Sequence, residues 1–134
     1  MTRLLAGVDC LGRAGHHVLV SFDLDALAID PTASDEEVHA MAKRCGSGQH
    51  PEGELDRRIV SFYERLRAAY PDCPPDGDSP WMLTPLDVGI DHVRMSISFG
   101  KHGTSAIELI LNLADQHGLT IYDRQSDVTT RPHH

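Results

Sequence analysis

The stretch His17-Val18-Leu19-Val20-Ser21-Phe22-Asp23-Leu24-Asp25-Ala26-Leu27 decides how this chain is read. Val18, Val20, Phe22 and Leu24 alternate with Leu19, Ser21, Asp23 and Asp25, which is the two-residue period of a strand. The first set is β-branched and aromatic, as a half-buried pleated face requires. A first, central strand is therefore predicted over 17–25. Asp23 and Asp25 then share a face, about 7 Å apart by strand rise. Carboxylates there cannot be fully buried unless something pairs with their charges.

Downstream, Asp30-Pro31 marks a turn, and Ser34-x-x-Glu37 is a capping box that opens a helix. Val38, Met41, Ala42 and Cys45 follow at helical spacing, and Gly46-Ser47-Gly48 ends the run. Cys45, His50 and Glu52 offer too few ordered ligands for a structural zinc site, so this region reads as a solvated loop. A second helix is predicted over 54–69. Leu55, Ile59, Phe62, Tyr63, Leu66 and Tyr70 line one side, and Arg57, Arg58, Glu64, Arg65 and Arg67 the other. The proline-rich segment 71–80 is a loop within the domain, and Trp81 reads as a core plug or, failing that, a ligand wall.

Strands are expected over 82–88 and 92–99, joined by a turn near Gly89. Val93, Met95, Ile97 and Phe99 alternate with His92, Arg94, Ser96 and Ser98, and Pro85 puts the first of the two at an edge. A last helix opens at Thr104 or Ser105, with Ser105-x-x-Glu108 as a second capping box, and Gly118 closes it. The final strand covers 119–122.

This order is the βαββαβ pattern of the ferredoxin-like α+β fold, with its first crossover made of two helices. The expectation is a four-stranded, mostly antiparallel sheet in spatial order 4-1-3-2, with all helices on one face and the other face open. Residues 1–16 read as a flexible arm, 17–128 as one domain and 129–134 as a polar tail. Asp23, Asp25, His92 and Arg94 should meet on the open face, with Arg94 bridging the carboxylates.

A chain of 134 residues is the size of one domain. Its formal net charge of −8 argues against a general nucleic-acid binder and suits a basic partner. Cys10, Cys45 and Cys73 are scattered and form no disulfide framework, which points to a reducing cytoplasm. No apolar run approaches a membrane span, and residues 1–15 lack the apolar core of a secretory signal. No cofactor or metal is expected.

Two resemblances bear on function. Val20-Ser21-Phe22-Asp23-Leu24-Asp25 resembles the D-x-D motif of haloacid-dehalogenase-type phosphohydrolases. That likeness implies Asp23 as nucleophile, Asp25 as acid/base and a Mg²⁺ ion. Ala26-Leu27 stands where that family has Gly-Thr, and the expected hairpin departs from its parallel sheet. Ser79-Pro80-Trp81, the strand 92–99 and the run from Leu113 through His117-Gly118-Leu119-Thr120-Ile121-Tyr122-Asp123-Arg124-Gln125 resemble a group of small bacterial proteins. Some of these sit beside polymorphic or contact-dependent toxin genes as immunity proteins. The resemblance implies a cytoplasmic, non-enzymatic module that binds and masks a protein partner, such as a basic toxin domain. The residues expected to bind are Asp23, Asp25, Trp81, His92, Arg94, Tyr122, Asp123 and Gln125. A small Mg²⁺-dependent phosphohydrolase is the alternative, and a homodimer built through a sheet edge is the third.

Overall fold

The computed structural model describes residues 21–47, 53–71, 80–81, 86–98 and 103–133. The predicted arm over 1–16, positions 17–20 and 82–85, and His50, Glu52 and Phe99 lie outside the described residues. The described residues form five strands: β1 (Ser21–Leu27), β2 (Asp87–Val88), β3 (His92–Ser98), β4 (Thr120–Asp123) and β5 (Val128–Thr130). They form one antiparallel sheet in the order β2-β3-β1-β4-β5. The strand expected from the sequence to be central, β1, lies in the middle. It pairs with β3 through Asp25↔Arg94 and Asp23↔Ser96, and with β4 through Asp25↔Tyr122.

The sheet has five strands where four were expected. The extra strand comes from the segment expected to open the polar tail. Asp123 Oδ1 accepts the backbone N–H groups of Gln125 (3.0 Å) and Ser126 (3.2 Å), and Asp127 takes a left-handed φ of 60°. That turn folds Val128–Thr130 back onto β4.

Helix α1 (Asp35–Gly46) starts where the capping box predicts. Ser34 Oγ accepts from the Glu37 N–H at 3.1 Å, and Glu37 Oε1 accepts from the Ser34 N–H at 2.8 Å. Helix α2 (Arg57–Ala69) is capped by Asp56, whose carboxylate takes the Arg58 N–H. Helix α3 (Gly103–Gln116) begins earlier than its second capping box implied, so Ser105 lies inside the first turn. The reason is close packing: a Cβ on Gly103 would run into the Ser98 carbonyl oxygen, so only glycine lets the helix start there. Its far end closes as a Schellman motif. Gly118 takes φ +70°, and the Leu119 N–H reaches the Ala114 carbonyl at 2.8 Å.

The helices do not share one face, contrary to expectation. Leu24, Ala26, Val93, Met95, Ile97 and Ile121 project to the side that packs on Ile59, Phe62 and Leu66 of α2 and on Ala106, Ile110 and Leu113 of α3. Leu27, of opposite parity, meets Val38, Ala42 and Cys45 of α1, with Tyr122 against them. The molecule is thus three layers, α2/α3, sheet and α1. The cause is legible in β1: its last turn of alternation carries apolar residues on both sides, Ala26 and Leu27, and each is fully buried. A strand that is apolar on both sides needs a cover on both.

Candidate functional site

The face beneath α1 carries most of the expected site. Asp25 is fully buried, and Arg94 Nε donates to its Oδ1 at 3.1 Å. Arg124, one position past the end of β4, brings its Nε to 3.2 Å from the same oxygen. Its place is set by pairing, because the Arg124 N–H donates to the Asp23 carbonyl and so prolongs the ladder. The other oxygen, Oδ2, meets no hydrogen-bond donor among the described residues. Burial raises the Asp25 pKa from the ordinary carboxylate value, and the charges of Arg124 and Arg94 only partly offset that. Asp23 is half-buried beside it and accepts from Ser96 Oγ at 2.7 Å. Arg94 therefore reaches the second carboxylate, and a serine serves the first.

A second cluster adjoins the first at the start of β3. Asp91 accepts from Arg44 Nη2 at 2.7 Å through Oδ2, and its Oδ1 lies 2.9 Å from His92 Nδ1. Cys45 is there too: one ligand-type atom from each of Cys45, Asp91 and His92 lies within 4.8 Å of the others. Cys45 is 2% exposed and His92 1%. Burial is the strongest single influence on His92 and pulls its pKa down. The bonds and charges of Asp91 and Cys45 outweigh it, and the ring is pushed up to about 9. The His92 bond, against burial, holds the Asp91 carboxyl below its ordinary range, with Arg44 assisting. Two glycines make room. A Cβ at Gly89 would collide with the His92 ring, and one at Gly46 would stand 2.8 Å from Arg94 Nη1.

Other expected residues fall elsewhere. Trp81 lies on the opposite side of the sheet, 6% exposed in the α2/α3 core, its Nε1 donating to the Tyr70 carbonyl at 3.1 Å. It cannot share a docking surface with Tyr122. An indole with one apolar body and one donor is satisfied by a core that offers a helix-end carbonyl. Tyr122 is half-buried under α1, and its hydroxyl donates to Asp127 Oδ1 at 2.8 Å, an oxygen His39 Nε2 also approaches at 2.8 Å. Asp123 braces the β4–β5 turn, and Gln125 is exposed on it.

Four members were missed: Arg44, Cys45, Asp91 and Arg124. The sequence sets Cys45 beside His50 and Glu52 as a metal candidate rather than beside Asp91 and His92, and its apolar helical position otherwise reads as core, which it also is. Asp91 sat in the turn before a strand. Arg124 continues the alternation of Tyr122 and was discoverable by extending the last strand two residues. The pairing of Cys45 with Asp91 and His92 crosses between α1 and the β2–β3 turn, and nothing in sequence spacing encodes it.

Between α3 and β5 lies a cleft of about 160 Å³ lined by Leu111, Leu119, Ile121 and Thr130. That is below the roughly 300 Å³ at which ligand pockets begin. No helix among the described residues is long and apolar enough to cross a membrane. No family model, curated protein or solved structure matches the chain.

Proposed function

We propose that this chain is a protein-binding module that docks a basic partner against the exposed acidic end of α1. The observation that carries this reading is the distribution of charge over the surface. Asp35, Glu36 and Glu37 are all exposed in the first turn of α1, with Asp30 exposed in the preceding turn and Asp127 exposed on the β4–β5 turn beside His39. The exposed arginines Arg57, Arg65 and Arg67 lie on α2, on the other side of the sheet, interspersed with the exposed Glu64 and, on α3, Glu108. The cluster of carboxylates at the start of α1 orients an approaching cationic surface before contact. Asp25, sealed behind two arginines, takes no direct part in that surface.

An immunity-type role, masking a toxin domain in the cytoplasm, is the version of this reading that the family resemblance favours. In the same spirit we take β1–β4 with their helices as a ferredoxin-like unit and β5 as an added edge strand. The hydrolytic alternative draws less support from the geometry. β1 runs antiparallel to both neighbours, and the Asp25 carboxylate faces guanidinium groups rather than an open metal position.

The test is capture from source-cell lysate on wild-type protein and on an Asp30→Lys, Glu36→Lys variant. Both residues lie outside the capping box and the Arg131–Asp35 pair. A stoichiometric basic protein retained by the wild type and lost by the variant supports the reading. Equal retention by both removes the acidic end of α1 from the interface. Mg²⁺-dependent phosphatase activity abolished by Asp23→Asn would replace the binding reading with the hydrolytic one.

A further inference from the structure

We propose that Cys45, Asp91 and His92 form a binding site for a zinc-type divalent ion that fastens the C-terminal end of α1 to the start of β3. The three residues offer a thiolate, a carboxylate and an imidazole, one of each, with donor atoms within 4.8 Å of one another. Ligands on one tetrahedral zinc ion stand about 3.5 Å apart, given bonds of about 2.0–2.3 Å. Binding therefore draws the donor atoms closer together than they stand without the ion. The mixture of soft sulfur, imidazole and carboxylate selects zinc over magnesium or calcium, which prefer oxygen alone.

The scaffold holds each donor in place without the ion. Cys45 is fixed in the last turn of α1. The Asp91 carbonyl accepts the Ala28 N–H at 2.9 Å, which pins the turn to the end of β1. Gly89 leaves the space the His92 ring fills. Arg44 hydrogen-bonds the outer oxygen of Asp91 at 2.7 Å and Cys45 as well, so it positions two of the three donors and leaves the inner Asp91 oxygen facing the cluster. That is the arrangement by which outer partners orient metal-ligating carboxylates. On binding, the ion takes the place of the proton held between His92 and Asp91 and of the thiol proton of Cys45, and both protons pass to solvent. Three protein ligands leave one coordination position for water, reached from the side of Asp91, whose side chain is 21% exposed.

The competing use of the same residues is a Cys-His-Asp nucleophile. Near-complete burial of Cys45 and His92 keeps a substrate away. That burial harms a nucleophile, which needs its substrate beside the thiol, but not a bound ion, which needs only an entry path from the side of Asp91.

The experiment is Co²⁺ titration of chelator-treated full-length protein under reducing conditions, using a His133→Ala, His134→Ala background to remove the terminal pair. One equivalent of Co²⁺ should bind with a sulfur-to-cobalt charge-transfer band, and excess Zn²⁺ should displace it. Cys45→Ser should abolish the band, and Arg44→Ala should weaken binding about 10- to 100-fold through the loosened carboxylate. Absence of the band from the folded background protein overturns the proposal whatever the variants do. A band that survives Cys45→Ser overturns it as well, by assigning the cobalt to another cysteine.

Discussion

Beneath α2 and α3 the sheet is sealed by hydrocarbon: Phe62, Ile59, Leu66 and Ile110 close over Met95 and Ile97, all of them essentially inaccessible. Beneath α1 the apolar contact is smaller, confined to Val38, Ala42 and Cys45 against Leu27, and charged groups do much of the joining. Arg44 holds Asp91, Arg131 holds both the Ala33 carbonyl (3.0 Å) and Asp35 (2.7 Å), and His39 meets Asp127. Apolar burial is non-directional and tolerant, whereas a buried charge is stabilising only while every partner is present. The two faces of one sheet should therefore fail in different ways.

The largest expected effect is on the apolar face. Phe62→Ala should cost about 3–5 kcal/mol in urea unfolding, because a large side chain leaves a cavity between two helices and the sheet. Val38→Ala under α1 should cost about 2 kcal/mol, since fewer atoms are lost from a smaller cluster. If Val38→Ala proves the more damaging, the α1 face contributes more apolar stabilisation than its packing indicates.

Next comes Asp25→Ala. It removes the shared partner of Arg94 and Arg124 and should cost about 3 kcal/mol, as removing one member of a buried ion pair does. Asp23→Ala, which removes a half-buried group bonded to Ser96, should cost about 1 kcal/mol. Equal costs would mean that the arginines, 19% and 30% exposed, turn to water when Asp25 is lost.

This contrast also explains what could be read from the chain. β1, β3 and the three helices follow from periodicity, because each presents at least one apolar face at its own repeat. The pairing of Asp25 with Arg94 followed from placing the first and third strands side by side. The position of α1 did not follow. Its apolar stripe of Val38, Met41, Ala42 and Cys45 is legible, though weaker than that of α2, but a stripe states that a helix is covered, not on which side of a sheet. The clue was Ala26-Leu27, two successive buried residues at the end of a strand assumed to have an open face. The Cys45–Asp91–His92 cluster was invisible for the same reason, since it exists only once α1 crosses to that side.

Titration should separate the faces further. His92 has a folded pKa of about 9 against an ordinary value of 6.5. A raised pKa means that the folded state binds the proton more tightly. Its contribution to stability is complete below about pH 6.5 and is lost as pH rises through about 9. With chelator present, urea midpoints measured from pH 6 to 10 should fall over that window, and His92→Gln should flatten the fall. Phe62→Ala should lower the whole curve without changing its slope there. A wild-type curve that is level from pH 6.5 to 9 would show that protonated His92 adds nothing to the hold on α1.

The smallest expected effect concerns the helix caps and tests whether the α1 face yields first. Ser34 caps α1 and Asp56 caps α2, each accepting one orphan N–H, so Ser34→Ala and Asp56→Ala should each cost about 1 kcal/mol globally. Their local consequences should differ. The first turn of α2 carries Ile59 into the main core, so losing its cap leaves that turn packed. The first turn of α1 is exposed from Asp35 to Glu37, and among the described residues Arg131 ties it down through Asp35 and the Ala33 carbonyl. Hydrogen exchange of amides 38–41 should accelerate several-fold more in Ser34→Ala than that of amides 60–63 does in Asp56→Ala. Equal acceleration would mean that the polar ties hold α1 as firmly as hydrocarbon holds α2, and the distinction between the two faces would then be one of chemistry without a difference in stability.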